Sequence, residues 1–273
     1  METGTVAIVL NAHLPFVRQP DYPRFLEERW LFESLSETYL PLLRLFAKLE
    51  AERIPWRLSM AMSPTLVSML GDRMISERYA LWLKDQIALA DKELARTAGD
   101  QGLNRLAQLY RDLYQQNYDD FSVLHGFNVL TAFDFYFKKG RLELLTSAAT
   151  HAFLPVYRAF PEAVACQVEA AVVSFRAAFG RAPSGFWTPQ LGWYPGLEEI
   201  LGAYGLQYSV VSLRGAMLGK PTPRHGSYAP LACPNGFTNF IRDYAATDSV
   251  WSETEGYPSD PAYRDRKSTR LNS

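Results

Sequence analysis

The chain has 273 residues, of which 48% are hydrophobic and 14% aromatic, so it can bury a large core in one barrel-sized domain or in two smaller ones. Its formal net charge of −1 gives no electrostatic reason to expect nucleic acid or an anionic membrane as a partner. The chain has two cysteines, no apolar run approaching the length of a membrane helix, and no cationic leader, so we expect a cytoplasmic protein.

Apolar runs and helically spaced apolar residues alternate along the first half of the chain. The run "TVAIVLN" (5–11) is typical of a buried parallel strand, and the recurrence of apolar residues at helical spacing over 31–52 predicts a helix. A second strand is predicted at 56–64, where a serine and a proline open the next helix. The charged, mostly helical stretch at about 65–140 is too long for one crossover and is predicted as a helical insertion.

The second half of the chain repeats the strand–helix pattern. The further predicted elements are strands at 142–151, 184–190, 207–215 and 227–233, and helices at 161–179 and 196–205. This alternation predicts an α/β fold with parallel strands, arranged as an open sheet or as a barrel. The sequence contains neither a G-x-G-x-x-G motif after the first strand nor a P-loop, which argues against a nucleotide site.

Polar and aromatic residues cluster where the predicted strands end. Parallel architectures bind their ligands at the carboxyl ends of the strands. The candidates at these ends, or in the loops beside them, are Asn11, His13, His151, Gln190, Trp193, Tyr194, Ser212, Arg214 and Trp251. Aromatic rings stack on the C–H faces of sugars, while histidine, asparagine and arginine bind hydroxyls, so the set predicts a carbohydrate site.

Tryptophan and histidine residues can also serve packing rather than ligand binding. Trp187 is predicted to belong to the core, and His125 and His225 are predicted to lie at the surface. A single histidine at a strand end is more often a packing or capping residue than a ligand. His13 and His151 occupy equivalent strand ends, and we therefore interpret this pair as part of the site.

Five stretches occur in order along the chain: "NAHLPFVR", "WLFESLSETYLPLL", "TSAATHAFLP", "FWTPQLGWYPGLEEIL" and "VWSETEGYP". Together they resemble the N-terminal barrel portion of glycoside hydrolase family 57, and most of all its 1,4-α-glucan branching enzymes, over residues 5–264. The resemblance implies an incomplete (β/α)7-type barrel with parallel strands and a helical insertion, truncated at the C-terminus. It also implies retaining glucanotransfer on α-1,4-glucan or maltooligosaccharide, with no metal and no other cofactor.

The residue at the family's nucleophile position differs in this chain. A retaining transfer needs two carboxyl groups about 5 Å apart, one to attack the anomeric carbon and one to act as acid and base. The family's nucleophile is a glutamate in the loop that matches "TPQLGW", and here that position is Gln190, whose neutral amide cannot form the glycosyl ester. The family's acid/base aspartate would follow Arg264. The chain as written is therefore predicted to be inactive.

Other positions keep or depart from the family pattern. His13 and His151 match it, whereas Asn11 stands where the family usually has a histidine. The residues of "SLRG" that replace the acid and the imidazole of an Asp-x-His-Gly motif are Ser212 and Arg214. From the strand ends and the resemblance together, the residues predicted to bind substrate are His13, His151, Trp193, Asn11, Arg214, Tyr194 and Trp251.

Four other carboxylates are considered for the missing nucleophile. Glu198 and Glu199 fall in the helix after the loop and are expected to point elsewhere. Glu253 and Glu255 follow Trp251, and nothing supports them beyond their charge. We therefore expect neither Glu198 nor Glu199 to replace the glutamate of the family, and Glu253 and Glu255 stay open.

Three functions stay open at this point. The first is an α-glucan-active enzyme of the branching type, and the second is a non-catalytic α-glucan-binding or regulatory homologue. The third is a metal-dependent polysaccharide deacetylase, which would need an aspartate beside two histidine ligands. His13 and His151 are available for that site, but no aspartate accompanies them at a strand end.

The stretch "DRKSTRLNS" (265–273) turns abruptly cationic and polar. It also matches, codon for codon, one reading frame of a common sequencing adapter. We interpret it as a sequencing artefact rather than a disordered basic tail. Residues 1–264 are then expected to form the N-terminal part of the family 57 barrel.

Overall fold

The structure is a computed structural model that describes residues 4–252, 254, 256 and 257. Glu253, Glu255 and the stretch 265–273 lie outside the described residues. The chain divides into two compact units, of which unit 1 comprises the described residues of Met1–His151 and Glu169–Pro183, and unit 2 those of Ala152–Val168 and Ser184–Ser273. No helix in the described part of the chain is long and apolar enough to cross a membrane.

Unit 1 contains a parallel sheet in the order β1-β2-β3. Its strands are β1 (Val9–Ala12), β2 (Leu58–Met62) and β3 (Leu142–Ser147). The first strand begins at Val9, later than the sequence predicts, and the side chains of Val6 and Ile8 before it are 88% and 61% exposed. The Ile8 oxygen still accepts a hydrogen bond from the Ser59 nitrogen of β2 at 3.1 Å. Most residues of β2 and β3 are buried, as is usual for strands of a parallel sheet.

Six helices belong to the first half of the chain, and four of them occupy the segment between β2 and β3. The helices are α1 (Glu28–Ser34), α2 (Leu40–Ala51), α3 (Pro64–Leu70), α4 (Arg73–Arg96), α5 (Gln101–Asp119) and α6 (Val129–Lys138). The segment of α3 to α6 is where the sequence predicts a helical insertion. A seventh helix, α7 (Pro161–Phe179), has the predicted bounds, and the boundary between the units falls within it.

The helix predicted over 31–52 forms, but it contains a π-helical turn at Leu35–Tyr39. Such a turn inserts one residue into the helical repeat and rotates the face that follows. After the turn, Leu43 and Phe46 are buried, whereas Leu42 is only partly buried and Leu45 is 48% exposed.

Ion pairs hold the loop that follows His13 against the start of α4. Arg78 donates to the backbone oxygen of Gln19 at 2.9 Å and pairs with the buried carboxylate of Glu28. Arg18 pairs with Asp72, the N-cap of α4, at 2.6 Å. Removing one partner of a buried ion pair leaves the other charge buried without a counter-charge. The conformation of the loop therefore depends on α4.

Unit 2 contains four strands in the order β4-β5-β7-β6. They are β4 (Gly185–Trp187), β5 (Tyr208–Ser212), β6 (Leu231–Ala232) and β7 (Thr238–Arg242), and only β6 runs antiparallel to its neighbour. In addition to part of α7, this unit contains the helices α8 (Leu197–Ala203), α9 (Leu213–Met217) and α10 (Tyr244–Trp251).

Three strand predictions in unit 2 need correction. The strand predicted at 184–190 shortens to Gly185–Trp187, because Pro189–Leu191 forms a 3₁₀ turn. The strand predicted at 207–215 stops at Ser212, because the Ser212 side chain caps α9 instead. The strand predicted at 227–233 reduces to two residues, and the long parallel strand of this region is β7, which was not predicted. Buried and less buried residues alternate along β7 over only five residues, which is a weak sequence signal for a strand.

Candidate functional site

The ends of β1 and β2 lie side by side. Ala12 pairs with Met62 in the parallel register, and the Ser63 backbone nitrogen donates to the Ala12 oxygen at 3.0 Å. The next residues on the two strands, His13 and Ser63, therefore face each other. His13 Nδ1 and Ser63 Oγ are 3.0 Å apart.

His151 completes this group from the end of β3. Its backbone nitrogen donates to Ala148 at 2.9 Å in a tight turn, and its φ of 56° lies in the left-handed region. His151 Nδ1 is 3.3 Å from the Oγ of Ser147, the last residue of β3. The two histidines that the sequence predicts at equivalent strand ends stack on each other, with ring centroids 3.6 Å apart and planes 9° apart.

We call His13, Ser63, Thr65 and His151 the His13 corner. Burial lowers the pKa of His13. Burial, and then the neighbouring His13, lower the pKa of His151 to about 4. Both rings are therefore neutral at pH 7, and each offers one N–H donor and one nitrogen acceptor. This is a surface for hydroxyl groups rather than for anions.

Asn11 lies within β1, not after it, and its side chain is exposed. The chemistry-bearing candidates thus divide between the two units. Asn11, His13 and His151 belong to unit 1, and the remaining candidates belong to unit 2.

In unit 2, the turn after β4 carries Gln190. Thr188 is fully buried, and its hydroxyl donates to the backbone oxygen of Val210 on β5 at 3.0 Å. The 3₁₀ turn Pro189–Leu191 follows, and within it Gln190 and Leu191 have φ values of 54° and 53°. Two consecutive non-glycine residues in this region are strained, and such strain persists where the surroundings over-determine the backbone.

The Gln190 side chain is exposed and makes no hydrogen bond within the described part of the chain. We call residues 188–194 the Gln190 loop. Packing holds this loop, because a Cβ on Gly192 would lie 2.3 Å from a ring carbon of Phe153 and 3.0 Å from Pro155. The loop and the segment after His151 are therefore in direct van der Waals contact.

The aromatic residues of the Gln190 loop are partly occupied with packing. Trp193 is half-buried, with its ring centroid 5.9 Å from that of Phe237. The Tyr194 hydroxyl is buried and has no hydrogen-bond partner among the described residues. Burial, and then Glu198, raise the pKa of Tyr194. Of the two predicted sugar contacts, Trp193 is therefore the better candidate, because the polar group of Tyr194 is buried.

The other candidates of unit 2 lie on helices. Ser212 accepts a hydrogen bond from the Gly215 nitrogen at 3.0 Å as the N-cap of α9, and Arg214 lies exposed on that helix rather than at a strand end. Trp251 is the last residue of α10 and is 79% exposed, whereas the sequence placed it in a loop.

Glu198 has a structural task that competes with nucleophilic attack. Its carboxylate accepts a hydrogen bond from the Gly196 nitrogen at 3.0 Å in the first turn of α8. Glu199 is exposed in the same turn. Carboxylates in the first turn of a helix are stabilised by the free N–H groups there, which accounts for both without a catalytic role.

The packing predictions have mixed outcomes. Trp187 is 8% exposed, so its assignment to the core is confirmed, and His225 is exposed as predicted. The surface assignment of His125 is wrong, because this residue is half-buried and its burial lowers its pKa.

Sequence reasoning missed two features of these strand ends. Thr65 belongs to the His13 corner, but its only sequence signal is its place just after the serine–proline helix start. Arg242 ends β7 opposite Ser212, and its Nε is buried without a hydrogen-bond partner among the described residues. The alternation in "TNFIR" was the signal that could have revealed β7 and hence Arg242.

Across residues 4–252, no three histidine, cysteine, aspartate or glutamate side chains come close enough to form a metal site. A deacetylase centre needs an aspartate and two histidines together. The deacetylase hypothesis therefore gains no support from the described residues.

The alternation of parallel strands and helices, with histidines at the strand ends, defines an α/β protein. The chain belongs to glycosyl hydrolase family 57, whose model matches residues 7–265. The resemblance seen in the five sequence stretches is thereby confirmed.

Solved structures agree with this assignment. The chain is similar to the α-amylase AmyC of Thermotoga maritima, with 37% identity and a TM-score of 0.90 over 98% of this chain and 52% of the other. It is also similar to the GH57-type branching enzyme of Pyrococcus horikoshii, with 28% identity and a TM-score of 0.86 over 96% of this chain and 51% of the other. These neighbours confirm the predicted fold class.

Among curated proteins, a 1,4-alpha-glucan branching enzyme of Thermococcus kodakarensis is 26% identical, over 96% of this chain and 42% of the enzyme. The chain is thus related to branching enzymes. It spans about half the length of the relatives it matches.

Proposed function

We propose that this chain is a family 57 protein that binds α-1,4-glucan or maltooligosaccharide and does not transfer it. The observation that carries the proposal is the neutral amide of Gln190, exposed in a strained turn after β4. An amide can donate to and accept from sugar hydroxyls, but it cannot form the glycosyl ester of a retaining reaction. A cytoplasmic location is part of the same proposal.

The chemistry of the His13 corner supports a hydroxyl-rich ligand. Its two stacked imidazoles are neutral at pH 7, so they hydrogen-bond hydroxyls without attracting phosphate or carboxylate groups. In unit 2, the half-buried Trp193 offers part of an aromatic ring for the C–H face of a glucose unit. Each of these groups, taken within its own unit, suits a sugar ligand, and none of them supplies a carboxylate nucleophile.

A second candidate is retaining glucanotransfer by a carboxylate other than residue 190. The relatedness of the chain to branching enzymes favours it. Glu198 is a poor choice because its carboxylate already accepts the Gly196 N–H. The two candidates differ in one measurable step, which is the formation of a covalent glycosyl–protein bond.

The test uses the whole chain and two ligands. Calorimetry with maltoheptaose measures binding, and mass spectrometry after incubation with α-maltosyl fluoride measures covalent capture. Fluoride departs without a proton, so capture needs a nucleophile but no acid catalyst. In Gln190→Glu, the introduced carboxylate would attack the anomeric carbon as the C–F bond breaks and fluoride leaves. Gln190→Asn is the matched control, since it keeps an amide.

We expect the wild type to bind maltoheptaose and to gain no maltosyl adduct. Only Gln190→Glu should gain the adduct, at residue 190. Branching or an adduct in the wild type would overturn the binding-only proposal in favour of the second candidate. Absence of binding at millimolar maltoheptaose would overturn α-glucan as the ligand class.

A further inference from the structure

A chain of four hydrogen bonds lies behind the His13 ring. Thr65 Oγ1 donates to the backbone oxygen of Leu14 at 2.9 Å, and it lies 3.0 Å from Ser63 Oγ. Ser63 Oγ accepts from the Leu66 nitrogen at 3.3 Å and lies 3.0 Å from His13 Nδ1. Ser63 is 1% exposed, so water does not compete for its hydroxyl.

The direction of each bond follows from the number of protons. A carbonyl oxygen only accepts, so the single hydroxyl proton of Thr65 points at Leu14. The contact between the two hydroxyls must then use the proton of Ser63, with Thr65 as acceptor. Ser63 has no proton left for His13 and can only accept from it. Its one proton and two lone pairs are thereby all used.

His13 must therefore carry a proton on Nδ1. In a neutral imidazole the other nitrogen, Nε2, then holds a lone pair. Nε2 makes no hydrogen bond within the described residues, and stacking on His151 fixes the plane of the ring. The nitrogen that remains for a ligand is thus an acceptor.

We propose that Ser63 and Thr65 are positioning residues that fix His13 in the Nδ1–H tautomer, so that Nε2 accepts a hydrogen bond from a donor hydroxyl of the bound glucan. The tautomer depends only on the hydrogen bonds of the His13 corner. The identity of the donor as a glucan hydroxyl rests on the function proposed above. In the opposite tautomer, Nε2 would instead donate a hydrogen bond. It would then favour a ligand oxygen that can only accept one.

The experiment is a long-range ¹H–¹⁵N correlation spectrum of the whole chain labelled with ¹⁵N-histidine, at neutral pH. The chain has only four histidines, and the His13 signals are those lost in His13→Gln. Thr65→Val removes the hydroxyl that accepts the Ser63 proton while keeping the shape of the side chain. Thr65→Ser keeps the hydroxyl and is the matched control.

We expect protonated Nδ1 and unprotonated Nε2 at His13 in the wild type and in Thr65→Ser. In Thr65→Val the freed Ser63 proton can turn to Nδ1, so the Nε2–H form should become the major one. Because a ligand hydroxyl would lose its acceptor, maltoheptaose should then bind about tenfold more weakly.

An Nε2–H tautomer in the wild type would overturn the proposal. A Thr65→Val chain that is less stable but keeps the wild-type tautomer would reduce Thr65 to a structural residue and would also overturn it. The predicted tautomers without any maltoheptaose binding would support the positioning role and overturn only the glucan assignment.

Discussion

The His13 corner and the Gln190 loop follow strand ends in different units, and they are held in different ways. Each polar contact of Ser63 in the His13 corner has a partner with a defined direction, and the two rings stack. In the Gln190 loop the backbone is strained, the amide has no partner among the described residues, and packing of Gly192 on Phe153 holds the turn. The shape of the loop therefore does not depend on the side chain at 190, and this position can change its chemistry at little cost in stability.

The packing of the Gln190 loop can be broken most strongly at Gly192. We expect Gly192→Ala to lower the free energy of unfolding by about 2 kcal/mol, because its Cβ would overlap the Phe153 ring. Gly99→Ala is the control, since a Cβ there meets nothing within 4 Å, and we expect a change of at most about 0.5 kcal/mol. Urea unfolding gives both values, and equal values would refute the packing explanation.

The hydrogen bonds of the His13 corner can be broken at Ser63. Ser63→Ala leaves α3 without its N-cap and His13 Nδ1 without its acceptor, so we expect a loss of about 1.5 kcal/mol. Ser212→Ala removes the corresponding cap of the short helix α9 in unit 2, and about 0.5 kcal/mol should be lost. A Ser63 effect no larger than that of Ser212 in thermal unfolding would show that the His13 contact adds no stability.

The contribution of His151 to stability can be measured through its dependence on pH. Its pKa is lowered to about 4 in the folded chain, so between pH 6.5 and 4 the unfolded chain binds a proton that the folded chain excludes. The free energy of unfolding should fall over this window, by about 1 kcal/mol after allowance for the partial exposure of the ring. His151→Asn accepts the left-handed backbone and does not titrate, so its unfolding curve should lack this part of the fall. Identical pH profiles for the two chains would contradict the lowered pKa.

The strained backbone at Gln190 predicts the smallest change in the free energy of unfolding. The sign of this change is what tests the strain. Glycine tolerates the left-handed region, so Gln190→Gly should stabilise the chain by about 0.5 kcal/mol. Gln207→Gly, at an exposed glutamine without a positive φ, should destabilise it by a similar amount. If both substitutions destabilise the chain in denaturant titrations, the loop stores no strain.

Local patterns were enough to predict much of the fold. Short segments rich in apolar residues between helical patterns predicted β2 and β3, and the helix predicted at 161–179 has the bounds of α7. The half-buried β7 escaped because alternation over five residues is a weak signal. The π-helical turn at Leu35–Tyr39 was not predicted, because the apolar spacing over 31–52 does not distinguish a π-helical turn from a regular helix.

The candidate site was predictable only in part for a similar reason. His13 and His151 could be found from their positions at strand ends, and they do meet. Thr65 could not, because its contact with Ser63 matters only when the register of β1 and β2 brings Ser63 to His13, fifty residues away. The predicted roles of these residues in binding stay predictions.

The four helices between β2 and β3 also bear on how the chain folds. Leu58 pairs with Leu142, so the parallel ladder closes only after residues 63–141 have been brought back on themselves. If that segment were unstructured, pairing the two strands would cost the full loop-closure entropy of a segment of that length. The antiparallel contact of α4 with α5 is local in sequence and can form first, which shortens the effective loop. We therefore expect the helical insertion to lower the entropic cost of bringing β2 and β3 together.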